Sequence, residues 1–155
     1  MIDVYCFTST NLTNIWAGIG AGLWAVSEVS PKDMETRKTK SLGMPIGSFG
    51  LLYCSANHSF TTPSKVTSEV RWKEIKGVWP EAWWLPFSIN PLGTPNHQLT
   101  TKEMTALVDV MKRRQSVTDV FFIGGACTFV PSKVPDEDWE LILEELAPDY
   151  VEKNS

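Results

Sequence analysis

The sequence predicts an α+β fold, a curved mixed β-sheet or small barrel of about six strands flanked by helices. Two observations lead to this class. Short apolar runs of strand length recur along the chain, and two amphipathic helical patterns lie in its last third. With 155 residues, 43% of them hydrophobic and 21% charged, the chain suits a single domain, residues 1–155, with a sizeable core.

The first forty residues alternate between strand and helix signals. Residues 4–7 form an apolar strand pattern, and the polar residues 8–11 supply caps for a short helix that ends near Ala21. Residues 23–26 read as the second strand. We expect residues 30–43 to be a polar loop, because this stretch is rich in charged side chains.

Three strands are predicted in the middle of the chain. Residues 49–55 are a continuous apolar run, which predicts a buried strand. Residues 65–73 alternate apolar and polar side chains, as a half-buried strand does. Residues 83–89 are strand-like too, but Pro86 requires an edge position or a bulge.

Two helices and one strand are predicted after residue 99. Thr100 and Glu103 have the capping-box spacing, and an apolar stripe follows them as far as Met111. Residues 120–123 predict a buried strand. Asp136 is the predicted cap of an acidic helix at about 136–147, with an apolar stripe that contains Trp139.

Charge is unevenly distributed. The net charge is −4, but eight acidic residues and one basic residue lie from Asp136 onward, whereas basic residues outnumber acidic ones 13 to 10 in residues 1–135. A mildly basic body permits phosphate contacts on one face. No apolar run reaches the roughly 20 residues of a membrane span, so no membrane partner is expected. Three widely spaced cysteines favour a reducing compartment, and we expect a cytoplasmic protein.

Seven tryptophans are a large number for one domain, and most of them must lie in the hydrophobic core. Trp139 and one of the pair Trp83 and Trp84 are expected to be structural. Trp24 is different, because glycines and alanines surround it in sequence and predict open space beside its indole. Trp72 stands beside polar residues, where its ring is expected at the rim of a pocket.

Residues 8–26 resemble the start of YTH and EVE domains, which belong to the PUA-like superfamily and place a modified nucleobase in a cage of aromatic rings. Gly22-Leu23-Trp24 matches the setting of one cage tryptophan, and Trp72 matches a second in order and context. Trp79 is the candidate for the third wall. The resemblance further implies that Ser9, Thr10, Asn11 and the backbone of Ala25 contact the edge of the base.

The resemblance implies that the chain binds nucleic acid, with DNA favoured, and recognises a methylated base, in the first place a modified adenine, by base flipping. The closest analogy is the N-terminal DNA-binding domain of McrBC-type restriction systems, so a fused or associated motor or nuclease domain is an expected partner. An aromatic cage alone binds weakly, and phosphate contacts must add affinity. The predicted contacts are Arg37, Lys38, Lys40, Lys65, Arg71, Lys73 and Lys76.

Other functions remain as alternatives. An RNA-modification reader, or a protein-interaction module that uses exposed tryptophans, fits the same residues. A small enzyme that uses Cys54 or His58 is the third alternative, although the cysteine stands inside an apolar strand, where an inert thiol is expected. We find no paired carboxylates for acid–base catalysis, no dinucleotide fingerprint and no zinc spacing, so the sequence predicts no catalytic residues, no metal and no cofactor.

Overall fold

A computed structural model describes residues 1–108, 117 and 120–155 of the chain. Eight strands and five α-helices are found in this part, together with a 3₁₀ turn at Gly125–Cys127. In chain order they are β1 (Ile2–Ser9), α1 (Leu12–Ala21), β2 (Leu23–Ser27), α2 (Pro31–Ser41), β3 (Phe49–Cys54), β4 (Ser59–Val66), β5 (Glu74–Ile75), β6 (Trp83–Pro91), β7 (Gln98–Thr100), α3 (Thr101–Leu107), β8 (Ser132–Val134), α4 (Asp136–Leu146) and α5 (Pro148–Lys153).

The strands form one curved, mixed sheet in the order β2-β6-β4-β3-β1-β8, with β5 added to β6 and β7 added to β4. The β1–β3 pair is parallel and the other pairs are antiparallel. The sheet stays open, with β2 and β8 at its two ends. The predicted α+β class with a curved mixed sheet is confirmed, in the open form and not as a closed barrel.

Each face of the sheet carries its own apolar core, because successive side chains of a strand point to opposite faces. On β1, Val4 and Cys6 join one cluster with Trp139 of α4, whereas Tyr5 and Phe7 join the other. The second cluster is rich in aromatic rings and contains Trp24, Trp79 and Trp83. We call the two sides the α4 face and the tryptophan face.

Several element predictions are confirmed. The strands at 4–7, 23–26, 49–55 and 83–89 and the helix that ends near Ala21 lie where the sequence places them. Thr100 and Glu103 form the predicted capping box of α3, while Met111 lies outside the described residues. The predicted bulge at Pro86 is present, since the register of β6 on β2 shifts there.

Most of residues 30–43 is the helix α2, Pro31–Ser41, and not a loop. Ser30 caps α2 by accepting a hydrogen bond from the backbone N–H of Asp33, and Pro31 occupies the first turn. Its basic residues Lys38 and Lys40 lie in the last turn, where their positive charges interact favourably with the negative end of the helix dipole. The clearest sequence signals of this helix are therefore at its ends, because Ser41 is its one fully buried residue and Met34 packs only in part against the core of the tryptophan face.

Three further predictions are wrong. The strand predicted at 65–73 ends at Val66 in β4, and the chain from Thr67 onward runs irregularly against the bulge of β6. Residues 120–123 are buried only in part and are no strand. Asp136 does not cap α4, because its carboxylate lies 3.2 Å from the N-terminal amine of Met1 and Pro135 occupies the cap position.

Candidate nucleic-acid interface

Three of the four predicted base-edge residues lie around one cavity. Ser9, Thr10 and Ala25 line a cavity of about 200 Å³ between the end of β1 and β2. Its full lining is Thr8, Ser9, Thr10, Asn14, Ala25, Val26, Ser27, Arg37, Glu81, Trp83, Gly125 and Thr128. We call it the β1–β2 cavity. Its volume is below the roughly 300–1,000 Å³ of sites for drug-sized ligands, so it suits a small flat group.

Asn11, the fourth residue, has a different task. Its side chain caps α1 by accepting a hydrogen bond of 2.8 Å from the backbone N–H of Asn14. The backbone N–H of Asn11 in turn lies 3.4 Å from Oγ of Ser9. The structure thus places Asn14, one turn further along the helix, in the lining of the cavity, and uses Asn11 to fix the helix start.

Ala25 faces the bulge of β6. Trp24 pairs with Phe87 and Val26 with Trp84, so Leu85 and Pro86 together oppose Ala25, which has no partner in the register. Leu85 holds a φ of 59°, a left-handed conformation that costs a residue other than glycine about 1–3 kcal/mol. A bulge of this kind re-aims the strand and interrupts the ladder beside the cavity.

Trp24 is buried and not open. Its exposed fraction is 1%, and a Cβ placed on Gly18 would lie 2.9 Å from its Cε3 atom. The glycines therefore do not leave space beside the indole, since Gly18 is small in order to let α1 approach the ring. The expected open neighbourhood of Trp24 is wrong.

The structure joins Trp24 to Trp79 and Trp83, and we call these three rings the tryptophan cluster. Trp79 and Trp83 stack with ring centroids 4.2 Å apart and an interplanar angle of 14°. Trp24 meets both edge-on, at 5.8 Å from Trp79 and 5.6 Å from Trp83. The indole N–H of Trp79 donates to the carbonyl of Asn14 at 2.9 Å, which fixes this ring against α1. Trp83 is the member that reaches the cavity lining.

Trp72 lies elsewhere. Its side chain is 55% exposed, and it lines a separate groove with Lys38 of α2 and Trp84. Trp72 and Trp24 therefore do not border one cavity in this structure. The physical reason is the end of β4 at Val66, after which the chain no longer follows the strand alternation predicted for residues 65–73.

The rings of the tryptophan cluster are closely packed. Carbon atoms in contact lie about 3.5–4.0 Å apart, so two rings that hold a base between them must stand roughly 7–8 Å apart. The 4.2 Å separation of Trp79 and Trp83 leaves no such gap. A flat ligand between Trp79 and Trp83 would require these two rings to separate.

Among the predicted phosphate contacts, Arg37 alone lines the cavity. Burial lowers the pKa of its guanidinium from the ordinary value, while the charges of Asp33 and Cys127 act in the opposite direction. A guanidinium stays protonated at neutral pH, because its ordinary pKa lies far above neutrality, and removing part of its hydration strengthens its attraction for an anion. Arg37 therefore brings a positive charge to the cavity, close to the acidic Glu81.

The other predicted basic residues fall into three groups. Lys38 and Lys40 share α2 with Arg37, and the Nζ of Lys38 lies 3.1 Å from a carboxylate oxygen of Glu35. Lys65 is on the α4 face of the sheet, where its Nζ lies 5.4 Å from the ring of Phe49, so it is on the opposite side from the tryptophan cluster. The remaining three, all exposed, follow β4 or flank β5: Arg71, Lys73 and Lys76.

Cys54 and His58 do not form a catalytic pair. Cys54 is buried and its Sγ lies 4.0 Å from the carbonyl oxygen of Thr10, whereas Nδ1 of His58 lies 3.5 Å from the hydroxyl of Tyr53. The described residues include no group of three or more side chains suited to hold a metal ion. Within the same residues, no helix combines the length and the apolar character needed to cross a membrane.

Comparison with solved structures gives matches over nearly the whole chain. The YTH domain of Zygosaccharomyces rouxii MRB1, in complex with N6-methyladenosine RNA, aligns with a TM-score of 0.59 and 13% identity over 92% of this chain and 85% of that one. The Pho92 YTH domain in complex with m6A gives 0.60 and 9% over 92% and 82%. The Mmi1 YTH domain gives 0.58 and 14% over 99% of both chains.

The fold is that of YTH domains. At these identities the likeness concerns the fold alone. Comparisons of the sequence with family models and with curated proteins give no match.

Sequence reasoning missed several residues of the β1–β2 cavity. Trp83 is the most important of them. The sequence predicts that one of the neighbours Trp83 and Trp84 is structural, and no local pattern tells which one. Asn14 was detectable, because it stands three residues after the capping residue, on the first turn of α1. Gly125 and Thr128 come from a turn more than 100 residues away from β1, so only the tertiary structure brings them to the cavity.

Proposed function

We propose that this chain, residues 1–155 as one domain, reads a modified base in nucleic acid, with N6-methyladenine as the first candidate, and that the β1–β2 cavity takes the flipped base. One observation carries the proposal. The polar end of β1 and the unpaired backbone position at Ala25 border the same cavity as Trp83, so hydrogen-bonding groups and an aromatic wall meet at one place.

The energetics of such a site are balanced. Extruding a base from a stack costs a few kcal/mol. Stacking on one aromatic wall returns roughly 1–3 kcal/mol, and burying a methyl group adds about 0.8 kcal/mol. Discrimination between a methylated and an unmethylated base is then modest unless the tryptophan cluster rearranges around the methyl group. Phosphate contacts supply the remaining affinity, and Arg37 is the first residue to test.

The cage we propose contains Trp83 with Trp24 and Trp79 behind it. Trp83 takes the place that the sequence assigned to Trp72, because it lines the cavity. Ser9, Thr10 and Asn14 supply donors and acceptors for the base edge, and the backbone of Ala25 faces its exocyclic group. No step of this function breaks or forms a covalent bond, so we propose a binding domain and not an enzyme.

RNA is the ligand to test first. The neighbours solved with nucleic acid were solved with RNA or with m6A, and they do not support DNA over RNA or a role in a restriction system. DNA of the same sequence forms the second arm of the test. A motor or nuclease partner becomes part of the proposal only if the chain binds the DNA oligomer more tightly than the RNA oligomer.

A binding panel tests the proposal. We expect the wild-type chain to bind a single-stranded RNA oligomer with one N6-methyladenine more tightly than the same oligomer with adenine, in fluorescence anisotropy. Trp83→Ala should remove this preference, and Trp83→Phe should retain part of it while it keeps the core filled. Equal affinity of the wild type for methylated and unmethylated oligomers in both RNA and DNA would overturn the proposal.

Two basic variants separate positioning from recognition. Arg37→Ala should weaken methylated and unmethylated oligomers by the same factor and reduce the salt dependence by about one phosphate contact, because phosphate contacts position a ligand without reading its base. Lys65→Ala is the matched control, since Lys65 lies on the opposite face of the sheet. If Lys65→Ala weakened binding more than Arg37→Ala, the nucleic-acid interface would lie on the α4 face.

A further inference from the structure

We propose that the groove beside α2 is a second base-stacking site, which binds the nucleotide next to the modified one. The groove has a volume of about 210 Å³ and its lining includes Met34, Lys38, Trp72 and Trp84. We call it the α2 groove. The proposal rests on the function proposed above, and it gives Trp72 a role outside the cage.

Trp72 is exposed on a fixed backbone. The N–H of Arg71 donates to the carbonyl of Pro86 at 2.9 Å, and the carbonyl of Lys73 accepts from the N–H of Leu85 at 3.0 Å. The residues on both sides of Trp72 are thus held by the bulge of β6, while its side chain is 55% exposed. Because the backbone on both sides of Trp72 is fixed, stacking of a flat ring on the indole orders no additional main chain there.

The charges favour a nucleotide as the occupant. The Nζ of Lys38 lies 5.8 Å from the centroid of the Trp72 ring, and Arg71 and Lys73 flank this tryptophan in sequence. Aromatic rings that take successive bases, with basic side chains along the backbone, are the arrangement by which proteins hold single strands. Two carboxylates oppose a phosphate there, since Glu28 lines the groove and an oxygen of Glu35 lies 3.1 Å from Nζ of Lys38.

The two sites are adjacent, as successive nucleotides require. Three pairs of neighbouring residues are divided between them. The first residue of each pair lines the β1–β2 cavity and the second lines the α2 groove, and the pairs are Ser27 and Glu28, Arg37 and Lys38, and Trp83 and Trp84. The chain therefore passes between the two sites at three places, and we assign the phosphate that joins the two nucleotides to Arg37 and Lys38, which lie next to each other on α2.

The test compares ligands of two lengths. Trp72→Ala should leave the affinity for N6-methyladenosine 5′-monophosphate unchanged. It should weaken a five-nucleotide RNA with a central N6-methyladenine by roughly 5- to 150-fold, the loss of one stacking contact. An abasic residue next to the modified base, on the 5′ or the 3′ side, should weaken the wild type by a similar factor and add nothing to Trp72→Ala.

Controls keep the result specific. Trp72→Phe should recover most of the affinity, and Trp16→Ala should be neutral, because this exposed tryptophan of α1 is outside the lining of both sites among the described residues. An unchanged affinity of Trp72→Ala for the five-nucleotide RNA would overturn the inference, and so would equal weakening of the mononucleotide. If the wild type shows no preference for a methylated base, the proposed function fails, while the unmodified RNA still reports on the α2 groove.

Discussion

A comparison of substitutions at two glycines of α1 tests how tightly this helix packs on Trp24. A Cβ at Gly18 would lie 2.8 Å from the carbonyl oxygen of Leu23 and 2.9 Å from Cε3 of Trp24, whereas a Cβ at Gly20 has nothing within 4 Å. Both glycines lie within Leu12–Ala21, so Gly18→Ala and Gly20→Ala change helix propensity alike and differ in the contact. We expect Gly18→Ala to be the less stable of the two variants.

The magnitudes follow from two terms. Replacing glycine by alanine inside a helix stabilises it by about 0.8–1.0 kcal/mol, a gain that Gly20→Ala should show in full or in part. Forcing a methyl group into a filled core costs about 1–3 kcal/mol, because a backbone carbonyl and a packed indole cannot easily retreat. The propensity gain is shared, so Gly18→Ala should be about 1–3 kcal/mol less stable than Gly20→Ala.

Urea denaturation followed by circular dichroism measures the two free energies of unfolding, with unchanged m-values as a check that only stability differs. The emission of the tryptophans should shift in Gly18→Ala, where the ring of Trp24 is displaced, and stay unchanged in Gly20→Ala. Equal stabilities of the two variants would refute the packing of Trp24 against α1, and with it the closed tryptophan cluster.

Three other predictions concern the core, the thiols and the opening of a duplex. Trp24→Ala should lower the free energy of unfolding by about 3–5 kcal/mol in a denaturation experiment, because it empties a buried site. A thiol reagent should modify Cys127, which is half-buried, and leave Cys6 unmodified in the native protein, since burial raises the pKa of the Cys6 thiol to about 12 and keeps it protonated up to pH 9. A modified base opposite a mismatch should bind more tightly than the same base in a perfect duplex, by up to about a few kcal/mol, as measured by anisotropy, because the mismatch lowers the cost of extrusion. Equal affinities would mean that the chain reads an intact groove.

The N-terminal part of the fold was predictable because its signals are local. Strand, cap, helix and glycine end follow one another between residues 2 and 27, and each has a pattern of its own. The base-edge candidates Ser9, Thr10 and Ala25 came from this same stretch, and they line one cavity. The elements of this stretch therefore followed from short-range chemistry, whereas the resemblance to YTH and EVE domains supplied the residues on one side of the cavity.

Helix α2 was missed because it lacks the usual signal. An amphipathic helix shows an apolar stripe, but α2 buries only Ser41, so its hydrophobic pattern is that of a loop. Its ends carried the information, with Ser30 and Pro31 at the start and basic residues in the last turn. The capping residues therefore indicate α2 better than its hydrophobic periodicity does.

The walls of the cage needed the tertiary structure. The alternation at 65–73 continues past the point where β4 ends, and nothing in the sequence marks Val66 as the last strand residue. The bulge that pulls Arg71 and Lys73 against β6 turns Trp72 outward. Trp83 and Trp84 are neighbours of one type, and only the register of β6 decides which of them faces the cluster.

The indole N–H signals of the tryptophans test the central claim most directly. The Nε1 atoms of Trp83 and Trp139 are both buried without a hydrogen-bond partner among the described residues, but Trp83 borders the β1–β2 cavity and Trp139 packs on the α4 face. In ¹⁵N-edited NMR spectra, assigned with tryptophan-to-phenylalanine variants, a five-nucleotide RNA with one N6-methyladenine should shift the signal of Trp83 strongly and leave that of Trp139 in place. The unmethylated RNA should produce the same shift only at higher concentration. A titration that moves Trp139, or that leaves Trp83 unmoved while the RNA binds, would contradict the assignment of the β1–β2 cavity as the base site.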